Sequence, residues 1–97
     1  MRVRPVAIAL LLLMPGAPAG AQSLGPPGAA ACSGCHPPTA APGITVPPLN
    51  GRMADDIVAA MAGFRSGQRP ATVMDRIAKG FSEEEARALA AWFAAQR

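Results

Sequence analysis

Both cysteines and the single histidine of this 97-residue chain lie within five consecutive positions, from Cys32 to His36. The segment reads CSGCH, so the two thiols stand at i and i+3 and the imidazole follows the second thiol directly. Several chemistries use a Cys-x-x-Cys pair, and each requires different surroundings. The choice among them limits the folds that the rest of the chain can adopt.

Two of these chemistries fit the chain poorly. A structural zinc site needs four ligands, but only Cys32, Cys35 and His36 are offered, and the adjacent Cys35 and His36 are badly placed around one tetrahedral ion. A thioredoxin-like dithiol needs strands around it, and no strand-like alternation is present. A plain disulfide would close too short a loop to stabilise much. These remain minor alternatives.

Covalent attachment of haem uses each residue of the segment once. The thiols of Cys32 and Cys35 form thioethers with the two vinyl groups, and the adjacent His36 ligates the iron. The segment therefore predicts one covalently attached c-type haem.

Residues 1–21 predict a secretory signal peptide that is cleaved before Gln22. Two arginines precede an apolar run from Val6 to Met14, and the segment ends in the small-x-small pattern Ala-Gly-Ala. An uncleaved anchor is the alternative, but the apolar run is far shorter than the roughly 20 residues of a spanning helix. We therefore predict a periplasmic domain of residues 22–97 without a membrane anchor.

The predicted mature domain is small and nearly neutral. Without the leader it has 76 residues, and seven basic side chains face six acidic ones, a net charge of about +1. This balance gives no electrostatic argument for binding nucleic acid or anionic lipid. Chains of roughly 70 to 80 residues seldom gain more than a few kcal/mol from their own core. The apolar haem would supply the missing core.

The pattern of the mature chain predicts an all-α fold of three or four short helices. Residues 22–48 are rich in glycine and proline, which predicts a short helix from about Gly28 to Cys35 and then a long irregular loop. Disorder is the alternative for this half. A single helical turn is expected from Asp75 to Lys79.

Two longer helices follow from apolar spacing and capping residues. The first has Ile57, Val58, Met61 and Phe64 on its apolar face and ends at Gly67; Asp55, Asp56 and Arg65 are read as solvated charges at its ends. The second starts at Ser82, which forms a capping box with Glu85, and its apolar face comprises Ala86, Leu89, Trp92 and Phe93.

A second axial ligand of the haem iron is expected to be a methionine thioether, since the single histidine is already used. Met61 lies on an apolar helix face and is expected in the core, while Met53 is expected to pack as a flanking hydrophobe. Met74 follows the Pro70 turn 38 residues beyond His36, which is enough chain to reach the opposite face of the haem. We therefore predict His36 and Met74 as the iron ligands, a pair that favours ferrous iron.

In these features the chain resembles the class I c-type cytochromes. More narrowly, it resembles the small cytochrome subunit of flavocytochrome c sulfide dehydrogenase, through VPPLNG at 46–51, FRSGQRPATVMDRIAKGFSEEE at 64–85 and the terminal AAWFAAQ. The resemblance implies a small all-α fold around one covalent haem, with Cys32 and Cys35 attached to it. It also implies that the carbonyl of Pro47 accepts the ring N–H of His36.

The resemblance further implies an electron carrier that accepts electrons from a FAD-containing, sulfide-oxidising flavoprotein and passes them to a soluble carrier. The alternative is a free cytochrome that shuttles electrons between other periplasmic proteins. A haem-based sensor would need an open sixth position, and an independent enzyme would need access to the iron, so neither is expected. The docking face for the partner is predicted around Ser33, Gly34 and Pro37.

The chain departs from the family pattern in two places. The segment before Cys32 is short and glycine-rich, so the first helix is expected to be abbreviated. Pro37 and Pro38 also stand where the family usually continues with glycine. Both departures concern the contacts around the haem-attachment loop.

Overall fold

The computed structural model describes residues 24–97. The predicted signal peptide, residues 1–21, and its cleavage site before Gln22 lie outside the described residues. Within the described part the chain forms four α-helices and no strand: α1 (Ala29–Ser33), α2 (Ala54–Ser66), α3 (Met74–Ala78) and α4 (Glu83–Ala95). The predicted all-α class with three or four short helices is confirmed.

Helix α1 is shorter than the predicted segment from Gly28 to Cys35, because it spans only Ala29–Ser33 and Cys35 follows in a turn. The helix follows Gly28, which adopts the left-handed conformation with φ of 95°. The Phe81 ring lies so close that a Cβ at Gly28 would stand 2.6 Å from one of its carbon atoms. Glycine is therefore required here both by the backbone conformation and by the close approach of the α3–α4 connection.

Helix α2 begins and ends much as its sequence predicts. Gly67 takes the left-handed conformation after its last turn and donates its N–H to the carbonyl of Phe64. The expectation for Met53 is wrong, because this residue precedes the helix in extended backbone and its side chain is 69% exposed. Met53 is therefore not part of the apolar face with which α2 packs against its neighbours.

Helices α3 and α4 are joined by a short connection that ends at Ser82. The Ser82 hydroxyl accepts the Glu85 N–H at 3.1 Å, so the predicted N-cap is present. Helix α3 begins at Met74 itself, one residue earlier than expected. Met74 is therefore held in the first turn of a helix and does not lie in the irregular segment before it.

The buried core is small and consists of two clusters. The first comprises Ala29, Ile57, Leu89, Ala90 and Phe93, and the second comprises Met61, Ala78 and Ala86. The half-buried Phe81 packs against both clusters. Half of these buried side chains are alanines, which bury little area each. The side chains of residues 24–97 alone thus form a modest core, as the sequence predicts.

Arg65 departs from its expected role as a solvated charge at a helix end. Its guanidinium is partly buried, and one terminal nitrogen donates a hydrogen bond of 2.8 Å to the carbonyl of Phe81. The side chain is long enough to reach from the last turn of α2 to the α3–α4 connection. Arg65 therefore fixes the position of that connection relative to α2.

We expect Gly28→Ala to destabilise the protein more than Gly43→Ala. Both glycines have positive φ, of 95° and 77°, so both substitutions carry a backbone cost of about 1–2 kcal/mol. Only Gly28 faces an obstacle, the Phe81 ring, which adds roughly 1–3 kcal/mol of overpacking, whereas no heavy atom lies within 4 Å of a Cβ at Gly43. Urea unfolding of both variants measures the difference; equal losses would contradict the proposed contact.

Candidate functional site

A cavity of about 670 Å³ lies among the four helices and the two loops that flank α2. This volume falls within the range of about 300–1,000 Å³ that is typical of ligand pockets. Its walls are mainly aliphatic and aromatic, and the larger apolar side chains are Ile57, Met61, Phe64, Phe81, Leu89 and Phe93. The cavity therefore suits a large, mostly apolar ligand.

All five site residues expected from the sequence line this one cavity: Cys32, Cys35, His36, Pro47 and Met74. They come from three separate parts of the chain, namely the end of α1, the proline-containing loop and the start of α3. Residues as far apart as 32 and 74 are thus brought together by the fold.

The two cysteines stand on one continuous turn at the end of α1. The N–H groups of Cys35 and His36 both donate to the carbonyl of Cys32, at 3.2 and 2.9 Å. Both thiols are free. Burial raises the pKa of the Cys32 thiol above its ordinary value, because desolvation disfavours the thiolate. Cys35, in contrast, is exposed.

The imidazole of His36 is oriented by the proline-containing loop. Its Nδ1 lies 2.5 Å from the carbonyl oxygen of Pro47. A carbonyl oxygen can only accept a hydrogen bond, so Nδ1 must carry the proton. In the neutral ring Nε2 then keeps its lone pair, which is the form that binds a metal ion. Pro37 and Pro38, which depart from the family pattern, do not prevent this bond.

The structure brings two methionine thioethers to the cavity. Met74 is half-buried at the start of α3 and packs against the cluster of Met61, Ala78 and Ala86. Met61 also lines the cavity but is only 9% exposed and is a member of that core cluster, as expected. The exposed Met53 does not line the cavity.

Two arginines that the sequence analysis did not single out also line the cavity. They are Arg52, just before α2, and Arg69, just after it. Within the described part of the chain, the lining contains no aspartate or glutamate. The guanidinium of Arg69 lies over the ring of Phe64, 5.0 Å from its centroid. The sequence places both arginines in the loops that flank the apolar helix α2. The sequence pattern alone could not show that their side chains line the cavity.

Residues 24–97 contain no cluster of three or more His, Cys, Asp or Glu side chains that is arranged to hold a metal ion. In the same part of the chain, no helix has the length and apolarity needed to cross a membrane.

Comparison with known proteins gives one informative relative. No family profile matches the chain. The cytochrome subunit of sulfide dehydrogenase from Chlorobaculum tepidum (strain ATCC 49652 / DSM 12025 / NBRC 103806 / TLS) is 36% identical over 62 residues. The match covers 64% of this chain and 56% of the length of the relative, so the chain spans little more than half of that protein. The resemblance to the cytochrome subunit of sulfide dehydrogenase, first drawn from the CSGCH segment and the flanking motifs, is thereby confirmed.

Proposed function

We propose that this chain is a periplasmic electron-transfer protein with one covalently attached c-type haem. The observation that carries the proposal is the convergence of Cys32, Cys35, His36 and Met74 on one large apolar cavity. The similarity to a cytochrome subunit supports the same reading.

The residues present fit such a group. The cavity is large, its walls are apolar, and its donors are two thiols, an imidazole and thioethers, which are the groups used in c-type haem binding. The thiols lie one helical turn apart, as attachment to two neighbouring vinyl groups requires. When bound, the haem iron would supply reversible one-electron chemistry.

His36 would bind the iron through Nε2. The Pro47 carbonyl holds the proton on Nδ1 and fixes the ring plane, so the lone pair of Nε2 is presented without rearrangement. A hydrogen bond of this kind also makes the imidazole a stronger donor. Pro47 is therefore a positioning residue for His36.

Met74 would be the second protein ligand of the iron, and the apolar walls of the cavity would exclude water around it. A neutral thioether and a dry surrounding both favour the ferrous state over the more highly charged ferric state. Met61 is already held in the core by Ala78 and Ala86, which favours Met74 as the ligand. With His36 and Met74 both bound to the iron, the chain would leave no place for a substrate there, and its role would be electron transfer.

We further propose that the electron donor is a FAD-containing, sulfide-oxidising flavoprotein. The support is the similarity to a sulfide dehydrogenase subunit. Ser33 and Gly34 are exposed between the two cysteines, and small side chains there permit close approach of a partner. Since the predicted mature charge is only about +1, docking would depend on shape and apolar contact more than on electrostatic steering.

The covalent attachment predicts that haem stays with the protein through acid-acetone extraction, because thioether bonds resist conditions that remove coordinated haem. Absorption spectra of the protein pellet and of the organic phase measure this. Transfer of the haem to the organic phase would contradict the attachment. The His36→Ala variant should yield little folded holoprotein, since the iron then lacks its proximal ligand.

The distal assignment predicts that Met74→Ala keeps the haem but opens one axial position. The ferrous variant should bind carbon monoxide, and the weak near-infrared band of sulfur-to-iron ligation should disappear from the oxidised spectrum. Met61→Ala and Met53→Ala are the matched controls and should keep the band. Loss of the band in Met61→Ala alone would identify Met61 as the ligand.

The partner assignment predicts that sulfide reduces the cytochrome rapidly only when the flavoprotein subunit is present. Stopped-flow absorption with sulfide as donor measures the rate, with dithionite as the control reductant. A bulky Ser33→Trp substitution should slow the flavoprotein-dependent reduction and leave the dithionite reaction unchanged. Reduction that is indifferent to the flavoprotein would instead favour a free shuttle.

A further inference from the structure

Arg69 has an unusual position for a charged side chain. It lines a cavity whose walls, as residues 24–97 form them, are mainly apolar and contain no carboxylate. Within residues 24–97, the guanidinium also has no carboxylate oxygen within 4.0 Å, since the ion pair found there joins Arg87 to Glu83. Because the side chain is exposed, water can solvate its charge, and no carboxylate of residues 24–97 occupies the guanidinium where it borders the cavity.

The surroundings of Arg69 fix the side chain against the cavity wall. Its backbone N–H donates to the carbonyl of Gly63 at 3.0 Å. A Cβ at Gly63 would stand 3.1 Å from the Cβ of Arg69, so the side chain crosses α2 where the helix has no side chain of its own. The guanidinium then lies over the face of Phe64.

A cation–π contact such as that with Phe64 needs no N–H···O hydrogen bond, so the N–H groups of the guanidinium can still donate to an oxygen. Those N–H groups form a rigid fork that matches the two oxygens of a carboxylate. No side-chain hydrogen bond from Arg69 is present within the described part of the chain. The geometry thus presents a preformed donor fork beside an apolar cavity that lacks any carboxylate of its own.

We propose that Arg69 binds a carboxylate of the ligand that fills the cavity, namely a propionate side chain of the haem. This inference rests on the proposed function, because haem is an apolar macrocycle that carries two carboxylates on one edge. It assigns a polar contact to a ligand otherwise held by sulfur, imidazole and apolar side chains. Arg69 therefore both orients the haem and compensates one of its negative charges.

Arg52 lines the same cavity but is placed differently. The two arginines flank the 13 residues of α2, a helix about 20 Å long, whereas the two haem carboxylates are neighbours on one edge. Direct contact of both arginines with that edge is therefore not expected. Arg69 is assigned because its guanidinium is fixed by Phe64; no comparable aromatic contact holds Arg52 within residues 24–97.

The charge of Arg69 has a consequence for the reduction potential. A guanidinium that neutralises a nearby carboxylate disfavours the ferric state, because that state carries one more positive charge than the ferrous state. Removing the guanidinium should lower the potential. Since the side chain is exposed and belongs to neither core cluster, its replacement should not prevent folding.

The test uses holoprotein of the Arg69→Gln, Arg69→Lys and Arg52→Gln variants, with Arg97→Gln as the control for the same change of charge outside the cavity. Resonance Raman spectroscopy measures the propionate bending band, which responds to hydrogen bonding at the carboxylate. Spectroelectrochemistry measures the reduction potential. We expect Arg69→Gln to shift the band and lower the potential, Arg69→Lys to restore part of both, and Arg97→Gln to leave both as in the wild type.

The possible outcomes separate this inference from the proposed function. If Arg69→Gln leaves the band unchanged, or if Arg52→Gln shifts it in place of Arg69→Gln, the assignment to Arg69 is wrong even though haem is bound. If the wild-type protein shows no haem spectrum at all, the proposed function itself fails. A lowered potential without a shift of the band would also contradict the contact, because it would show only a loss of charge.

Discussion

The structure is organised around a cavity that its own side chains do not fill. The buried side chains of residues 24–97 form only two small clusters, and half of their members are alanines. These clusters lie beside a cavity of about 670 Å³ whose walls come from every helix. Such a chain gains little from burial within itself, so the proposed haem would contribute to the stability of the fold as well as to its function.

The hydrogen bond between His36 and Pro47 links two segments of the cavity wall. It joins the end of α1 to a loop that has no helix or strand of its own, and it fixes the proton of the imidazole on Nδ1. A second long-range hydrogen bond runs from Arg65 to the carbonyl of Phe81 and holds the α3–α4 connection against α2. The first bond orients the proposed proximal ligand, and the second holds the segment that follows α3, the helix on which Met74 lies.

Much of the fold could be predicted from the sequence because local signals agree with the tertiary structure. The apolar spacing of α2, the left-handed Gly67 at its end and the Ser82 cap of α4 are all local features. The sequence also pointed to four of the residues that line the cavity, Cys32, Cys35, His36 and Met74, since CSGCH limits the chemistry and few methionines remain. The resemblance to a known family supplied the contact of Pro47, which spacing alone does not reveal.

What the sequence did not reveal depends on long side chains that reach between elements. Arg65 reads as a solvated helix-end charge, yet its hydrogen-bond partner lies 16 residues away. Met53 reads as apolar and yet is exposed, because it precedes α2 in extended backbone. In the sequence Arg69 is one of several basic residues. Only the structure shows that it packs on Gly63 and Phe64. For Arg65 and Arg69 the orientation is set by tertiary packing, which helical periodicity does not encode.

Two thioethers at one cavity raise the question of how a single ligand is selected. Met61 lies in the middle of α2, where its side chain is tied to the packing of α3 and α4 through Ala78 and Ala86. Using Met61 as a ligand would remove it from a core that is already small. Met74 lies at the start of α3 and is only half-buried, so its use as a ligand would cost less buried area. The proposed division of roles between the two methionines thus follows from the cost of removing each from the core.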